Sequence, residues 1–300
     1  QTYLSYHNPT RSEVIGSKLF ILANGDLYAY DKEDTSIRTY SKSFPLSDTE
    51  ISYIAYQSAY KSLVIIYSNA NIDLLVNEED INNLPDYKNK NMTQDKTINH
   101  ACFYKEYTYL STASGILCIN LKKREISNYY PLNKNVLACN VSDNHLYAAT
   151  SEGLFAGLLT ENLLDIKNWK KVSDDTSEFL SQYHDIPFKG EVPENITPNS
   201  PVRNYPYYMN FAGERLLITG GGHIANRLDR PGTIMTFENN TWNSFQEEGI
   251  SEQTKHRYDD INCIVQDPKD IAHHFAASAG EGIYEFKDGK FINWYSMHNS

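Results

Sequence analysis

The segment Thr219-Gly220-Gly221-Gly222-His223-Ile224-Ala225-Asn226-Arg227-Leu228-Asp229-Arg230-Pro231-Gly232 is where the residue types of this chain come closest to chemistry. Three glycines follow the apolar run Leu216-Leu217-Ile218, and a histidine and two arginines follow them. Glycines let backbone N–H groups converge on an anion, and guanidinium groups neutralise it. The phosphate-loop version of such a site fails, because no Gly-Lys-Ser/Thr follows and no helix can be placed after the glycines. A tight strand turn carrying a polar loop fits the same residues and is the favoured reading. The candidate ligand-binding residues are Tyr207, His223, Asn226, Arg227 and Arg230, with Arg203 as a further source of local positive charge.

No other constellation reaches that level. His273 and His274 are neighbours, and successive strand residues point to opposite faces, so the two cannot readily chelate one ion. No His-x-His or His-Glu-x-x-His occurs, and His7, His100, His145, His184, His256 and His298 read as ordinary surface or strand residues. A Gly-x-Ser-x-Gly elbow and the sialidase-type Ser-x-Asp-x-Gly-x-Thr-Trp box are both absent. Asp31, Asp34 and Asp86 suit turns. The expectation is therefore no catalytic residue, no metal and no cofactor. Cys102, Cys118, Cys139 and Cys263 form no Cys-x-x-Cys pair and lie in predicted strands, where buried structural thiols are the ordinary outcome. Cys102 and Cys118 fall on successive strands of one repeat, which leaves a disulfide between them open.

The elements that would carry these residues repeat along the chain. An aliphatic-aromatic strand, a small-residue turn and a second strand recur at Leu19–Tyr30, Leu63–Leu75, Tyr107–Ile119, Leu146–Phe155 and His274–Phe286. The turns at Gly25, Asn71, Gly115 and Gly153 recur roughly every 40 residues, which is the period of a propeller blade. Glycine there supplies a left-handed backbone, and Asn71 takes its place in the second copy. Ahead of these pairs run Ile51–Tyr56, Ile98–Phe103, Val136–Val141 and Ile261–Val265, which fit an innermost strand. Polar strands ending in aromatics follow, at Ile37–Tyr40, Ile126–Tyr130, Trp242–Phe245 and Phe291–Tyr295.

The pattern predicts an all-β chain forming a single β-propeller, with six or seven blades of mostly four antiparallel strands and residues 1–300 as one domain. The long interval between Gly153 and Gly232 leaves the blade count open. Within it, Asp174 to Arg203 carries Pro187, Pro193, Pro198, Pro201 and Gly190, so a degenerate blade or a surface insertion is expected there. Glu247 to Asp260 reads as a short helical or flexible loop. Thr2-Tyr3-Leu4-Ser5-Tyr6 resembles an outer strand, which predicts closure by strands from both termini.

The formal net charge of −11 argues against nucleic acid and against docking on an anionic membrane surface. No apolar run is long enough for a transmembrane helix. The chain opens directly on a structured-looking segment, as it would after removal of a signal peptide.

These residues resemble the PorZ family, cell-surface components of the type IX secretion system. Tyr67-Ser68-Asn69-Ala70-Asn71-Ile72-Asp73-Leu74-Leu75 is similar to the family phrase Tyr-x-Asn-Gly-Asn-Ile-Asp-Leu, with Ala70 in place of glycine. Tyr6-His7-Asn8, the Gly220 to Gly232 loop, Phe275 to Phe286 and the final Tyr295 to Ser300 also look like that family's N-terminal propeller. Two-component-regulator propellers of hybrid sensor kinases share the Gly-Leu/Ile-Tyr-x-Tyr/Phe phrase. The resemblance implies a non-enzymatic propeller, exported to the periplasm or cell surface, and truncated from a longer chain with a second propeller. It would act as an adaptor for a protein partner of the secretion machinery, a sortase-like protease, in surface attachment of cargo, or would bind lipopolysaccharide or a glycan. The alternative is a periplasmic ligand-sensing propeller of a two-component regulator that binds glycans. A carbohydrate-active enzyme is a third reading and requires paired carboxylates facing one cleft.

Overall fold

Runs such as Leu63-Val64-Ile65-Ile66-Tyr67 are apolar without alternation, as expected of strands covered on both faces. A computed structural model, which describes residues 3–183, 185–222, 227–297 and 299, arranges such runs in six four-stranded antiparallel sheets. Each sheet is built from four strands consecutive in sequence. The chain divides into two compact units, Pro9–Ile196 and Gln1–Asn8 with Thr197–Ser300.

The larger unit holds four sheets. The first is β1 (Pro9–Ile15), β2 (Lys18–Ala23), β3 (Asp26–Asp31) and β4 (Ile37–Tyr40). The second is β5 (Ile51–Gln57), β6 (Ser62–Tyr67), β7 (Ile72–Val76) and β8 (Asp80–Asn83), followed by the short helix α1 (Asp86–Asn89). The third is β9 (Ile98–Tyr104), β10 (Tyr107–Thr112), β11 (Gly115–Asn120) and β12 (Glu125–Pro131). The fourth is β13 (Val136–Ser142), β14 (His145–Thr150), β15 (Gly153–Leu158) and β16 (Trp169–Ser173).

Each pair of successive sheets encloses a core, and strand alternation decides which residue enters which. Leu63, Ile65 and Tyr67 of β6 pack with Phe20, Leu22, Leu27 and Tyr40 of the first sheet. Val64 and Ile66 of the same strand pack with Leu110, Leu117 and Ile119 of the third. Each such burial contributes about 1.5–3 kcal/mol, so two layers served by one strand stabilise the stack strongly. Cys102, Tyr109, Ile116 and Cys118 of the third sheet meet Val136, Cys139, Leu146 and Trp169 of the fourth.

The phrase that carries the family resemblance is part of this architecture. Asp73 is fully buried and accepts hydrogen bonds from Tyr67 Oη (2.5 Å), Asn83 Nδ2 (2.8 Å) and the Ser47 N–H (2.9 Å). Asn69 Nδ2, Asn71 Nδ2 and Lys88 Nζ converge on Asp48 at 2.8, 3.3 and 2.6 Å. Burial alone would raise the Asp48 pKa, but the bonds from Lys88, Asn69 and Thr49 hold it far below the usual carboxylate range. The left-handed residue of this turn is Ala70 (φ 64°) and not Asn71, contrary to the sequence expectation. Asn71 is spent on the polar network instead.

The irregular stretch forms no sheet of its own among the described residues. After helix α2 (Ser177–Gln182), the segment 185–190 runs beside β1, where the Ser12 N–H donates to Pro187 O (2.8 Å) and the Lys189 N–H to Ser12 O (3.1 Å). Arg11 forks onto Asp185 and lies over the Tyr53 ring at 3.8 Å, while Tyr53 Oη donates to Asp185 at 3.0 Å. Lys189 Nζ meets the buried Glu13 carboxylate at 2.8 Å.

The smaller unit holds β17 (Tyr208–Ala212), β18 (Arg215–Thr219), β19 (Ile234–Glu238) and β20 (Thr241–Ser244), then the short helix α3 (Ile250–Thr254). Its second sheet is β21 (Ile261–Asp267), β22 (Asp270–Ser278), β23 (Ile283–Lys287) and β24 (Lys290–Tyr295). Leu217, Ile234 and Phe245 pack between the sheets against Ile261, Ile264, Tyr284 and Phe286. The expected N-terminal closing strand does not form, because residues 3–8 pair with no sheet. Ser5 is held instead by Asn204 Oδ1 (2.6 Å) and Val202 O (2.8 Å), and Tyr3 packs on Phe237 and Trp242.

Candidate functional site

The polar loop singled out in the sequence lies in the smaller unit, zippered to the residues before β21. The Gly232 N–H donates to Tyr258 O (2.9 Å), the Asp260 N–H to Arg230 O (2.9 Å) and the Gly221 N–H to Ile261 O (2.8 Å). A Cβ on Gly221 would lie 2.3 Å from the Asp260 carbonyl carbon. That glycine serves close backbone packing.

The loop does converge its N–H groups on an anion, and the anion is the protein's own. Asp260 is fully buried, and its carboxylate accepts the backbone N–H groups of Leu228 (3.0 Å), Asp229 (3.0 Å) and Arg230 (3.3 Å). Successive N–H groups of this kind form an anion-binding concavity, which Asp260 fills.

Arg227 Nη2 donates to both oxygens of Asp259 (3.1 and 3.3 Å) and to Glu281 Oε1 (3.1 Å). The Glu281 hydrogen bond, with Asp259 nearby, raises the Arg227 pKa and fixes its charge. The Arg230 guanidinium sits over the Tyr205 ring at 4.5 Å. Arg203 is bound to Thr233 Oγ1 (2.9 Å) and Glu247 (2.8 Å), and Arg257 to Asp229 (2.9 Å) and Asp259 (2.6 Å). Among the described residues Arg203, Arg227 and Arg257 are thus paired with Asp229, Glu247, Asp259 and Glu281, while the Arg230 guanidinium rests on an aromatic face. Tyr207 precedes β17, half-exposed, with its N–H on Thr219 O (2.8 Å). His223 and Asn226 lie outside the described residues.

The residues that complete this neighbourhood come from strand ends far along the chain. Asp259 and Asp260 precede β21, and Glu281 sits in the β22–β23 turn. Beside Glu281 lies a recess of about 300 Å³ lined by His256, Ser278, Gly280, Gly282, Trp294 and Met297. His256 stacks on Trp294 with ring centroids 4.4 Å apart, and its Nδ1 is 3.7 Å from Glu281 Oε2. The two adjacent aspartates before an apolar strand are the one signal of this meeting that the sequence carries. On the same sheet as Arg215–Thr219, β17 leaves Met209 and Phe211 on one face, 62% and 70% exposed. Among the described residues no group of three or more His, Cys, Asp or Glu side chains could hold a metal.

Comparison with known proteins bears on this geometry. Residues 19–170 match the family model described as TSS9, PorZ, N-terminal beta-propeller domain. The solved structure of PorZ from Porphyromonas gingivalis, described as an essential bacterial surface component of the type IX secretion system, superposes with a TM-score of 0.84. Identity is 23%, over 99% of this chain and 53% of that one, so the chain spans about half the length of that structure. At that identity the match shows the fold, a β-propeller, and the six sheets are its blades. The extracellular domain of a putative one-component system from B. thetaiotaomicron gives a TM-score of 0.45 at 12% identity, over 98% of this chain and 42% of that one. That value is too low to bear on the argument. No curated protein matches the chain. With half of its residues matched by the family model and that fold in common, the chain belongs to the PorZ N-terminal β-propeller family.

Proposed function

We propose that this propeller is a non-enzymatic binding module of the type IX secretion apparatus, exported to the periplasm or cell surface, and that it holds a protein partner in the attachment of cargo. Family membership supports the secretion context. The observation that carries the choice of partner is the neutralisation of the basic loop. Arg203 and Arg227 are paired with carboxylates, and Asp260 fills the backbone concavity. A polyanion such as lipopolysaccharide would have to displace these internal anions, at the cost of stranding buried carboxylates. A protein partner has no such requirement, and the exposed Met209 and Phe211 beside Tyr207 supply apolar contact.

The test is affinity capture from an outer-membrane and periplasmic extract, with wild type and the double variant Met209→Asp/Phe211→Asp as baits of matched melting temperature. Wild type should recover secretion-system proteins and the variant should lose them. Equal capture by both baits, or recovery of lipopolysaccharide alone, overturns the reading. A glycan panel that raises the melting temperature of wild type without protein capture would point to the ligand-sensing alternative.

A further inference from the structure

Cys102 on β9 and Cys139 on β13 bring their Sγ atoms to 3.6 Å across the core between the third and fourth sheets. A disulfide needs about 2.05 Å, so the sulfurs have roughly 1.5 Å to close by side-chain rotation. The pair suggested by the sequence, Cys102 and Cys118, is excluded by register. Both residues align with Tyr109, from opposite sides of β10, which puts them two strands apart at roughly 9.5 Å.

The surroundings of the sulfur pair are polar where the rest of the core is apolar. His100 precedes Cys102 by two residues on β9 and aligns with Ser111 on β10. His100 Nδ1 and Ser111 Oγ are both buried with no hydrogen-bond partner among the described residues. Burial alone would push the Cys139 thiol up. Contacts with Cys102, His100 and Ser111 outweigh burial and hold Cys139 below the usual thiol range. The same contact with Cys139, together with burial, pushes Cys102 well up.

We propose that Cys102 and Cys139 are a disulfide-forming pair that staples the third sheet to the fourth when the folding chain meets a low-molecular-weight or protein disulfide. The thiolate of one of the two cysteines attacks one sulfur of that disulfide, forming a mixed disulfide and expelling one thiolate. The second cysteine of the pair, losing its proton to solvent, then attacks the sulfur of the first and expels the second thiolate. Two protein thiols and one disulfide become one protein disulfide and two small thiols, with two electrons passed to the reagent.

The experiment is refolding of the whole chain from denaturant, in a mixture of reduced and oxidised glutathione or in excess dithiothreitol. Alkylation in denaturant and peptide mapping then locate the remaining thiols. Oxidative refolding should give a peptide joining Cys102 to Cys139, alkylation only at Cys118 and Cys263, and a higher melting temperature than the reduced protein. Cys102→Ser and Cys139→Ser should each abolish the cross-link and that gain. Alkylation at all four cysteines of oxidatively refolded native protein, or a cross-link through Cys118, overturns the proposal.

Discussion

Asp260 offers the sharpest test of whether the polar loop is already occupied by the protein itself. Its carboxylate accepts two backbone N–H groups at 3.0 Å and a third at 3.3 Å, in full burial. Hydrogen bonds to a charged acceptor contribute about 1.5–3 kcal/mol each, and the longer third bond counts for roughly half of one. The gross loss on removing the carboxylate is therefore about 4–7 kcal/mol, offset by relief of several kcal/mol in desolvation of the charge. A net loss of about 3 kcal/mol remains, and at roughly 2 °C per kcal/mol for a chain of this size the melting temperature should fall by about 6 °C. Asp260 has a left-handed backbone (φ 46°), so Asp260→Gly removes the carboxylate without adding strain there. Asp260→Asn keeps an acceptor and should lose about half as much. Scanning fluorimetry with and without millimolar inorganic phosphate supplies the decisive contrast. Phosphate should enter the vacated concavity and partly restore the glycine variant, while leaving wild type unmoved. An unchanged melting temperature for Asp260→Gly, or equal phosphate stabilisation of wild type and variant, would refute the reasoning.

A Cβ at Gly115 would stand 2.2 Å from Tyr130 O and 3.2 Å from Leu132 N, neither of which can swing aside. Gly115→Ala should cost about 1–3 kcal/mol or more, against about 1 kcal/mol for Gly213→Ala, where a φ of 64° meets open space. Urea midpoints that coincide for the two variants would contradict this. His273 lies 2.6 Å from Glu285 Oε1 and 3.4 Å from Asp267 Oδ2, and the Glu285 hydrogen bond leads the effects that raise its pKa. A raised imidazole pKa contributes stability that is complete below the unfolded value of about 6.5 and is lost as pH rises through the folded one. Relative to His273→Gln, wild type should lose melting temperature between about pH 6 and 8, and parallel curves for the two proteins would rule this pairing out.

The sequence by itself determined the repeating strands and the propeller fold, but neither the number of blades nor the role of the N-terminal residues. Alternation is a property of a few neighbouring residues, so Leu63, Ile65 and Tyr67 could be assigned to one face and Val64 and Ile66 to the other before any contact was known. Turn chemistry is equally local, although Ala70 rather than Asn71 took the left-handed position because Asn71 was needed by Asp48. What only the tertiary structure decided is which distant groups meet. Arg227 read as a free cation until Asp259 and Glu281 closed on it from 32 and 54 residues away. The sequence offered Cys118 as a partner for Cys102, whereas the stacking of one sheet on the next brings Cys139 to it. The 185–190 segment showed no periodicity, since its order comes from Arg11, Glu13 and Tyr53 on strands formed much earlier in the chain. Pairings of this kind depend on how sheets stack and loops fold back, and a local pattern of side-chain types carries no record of them.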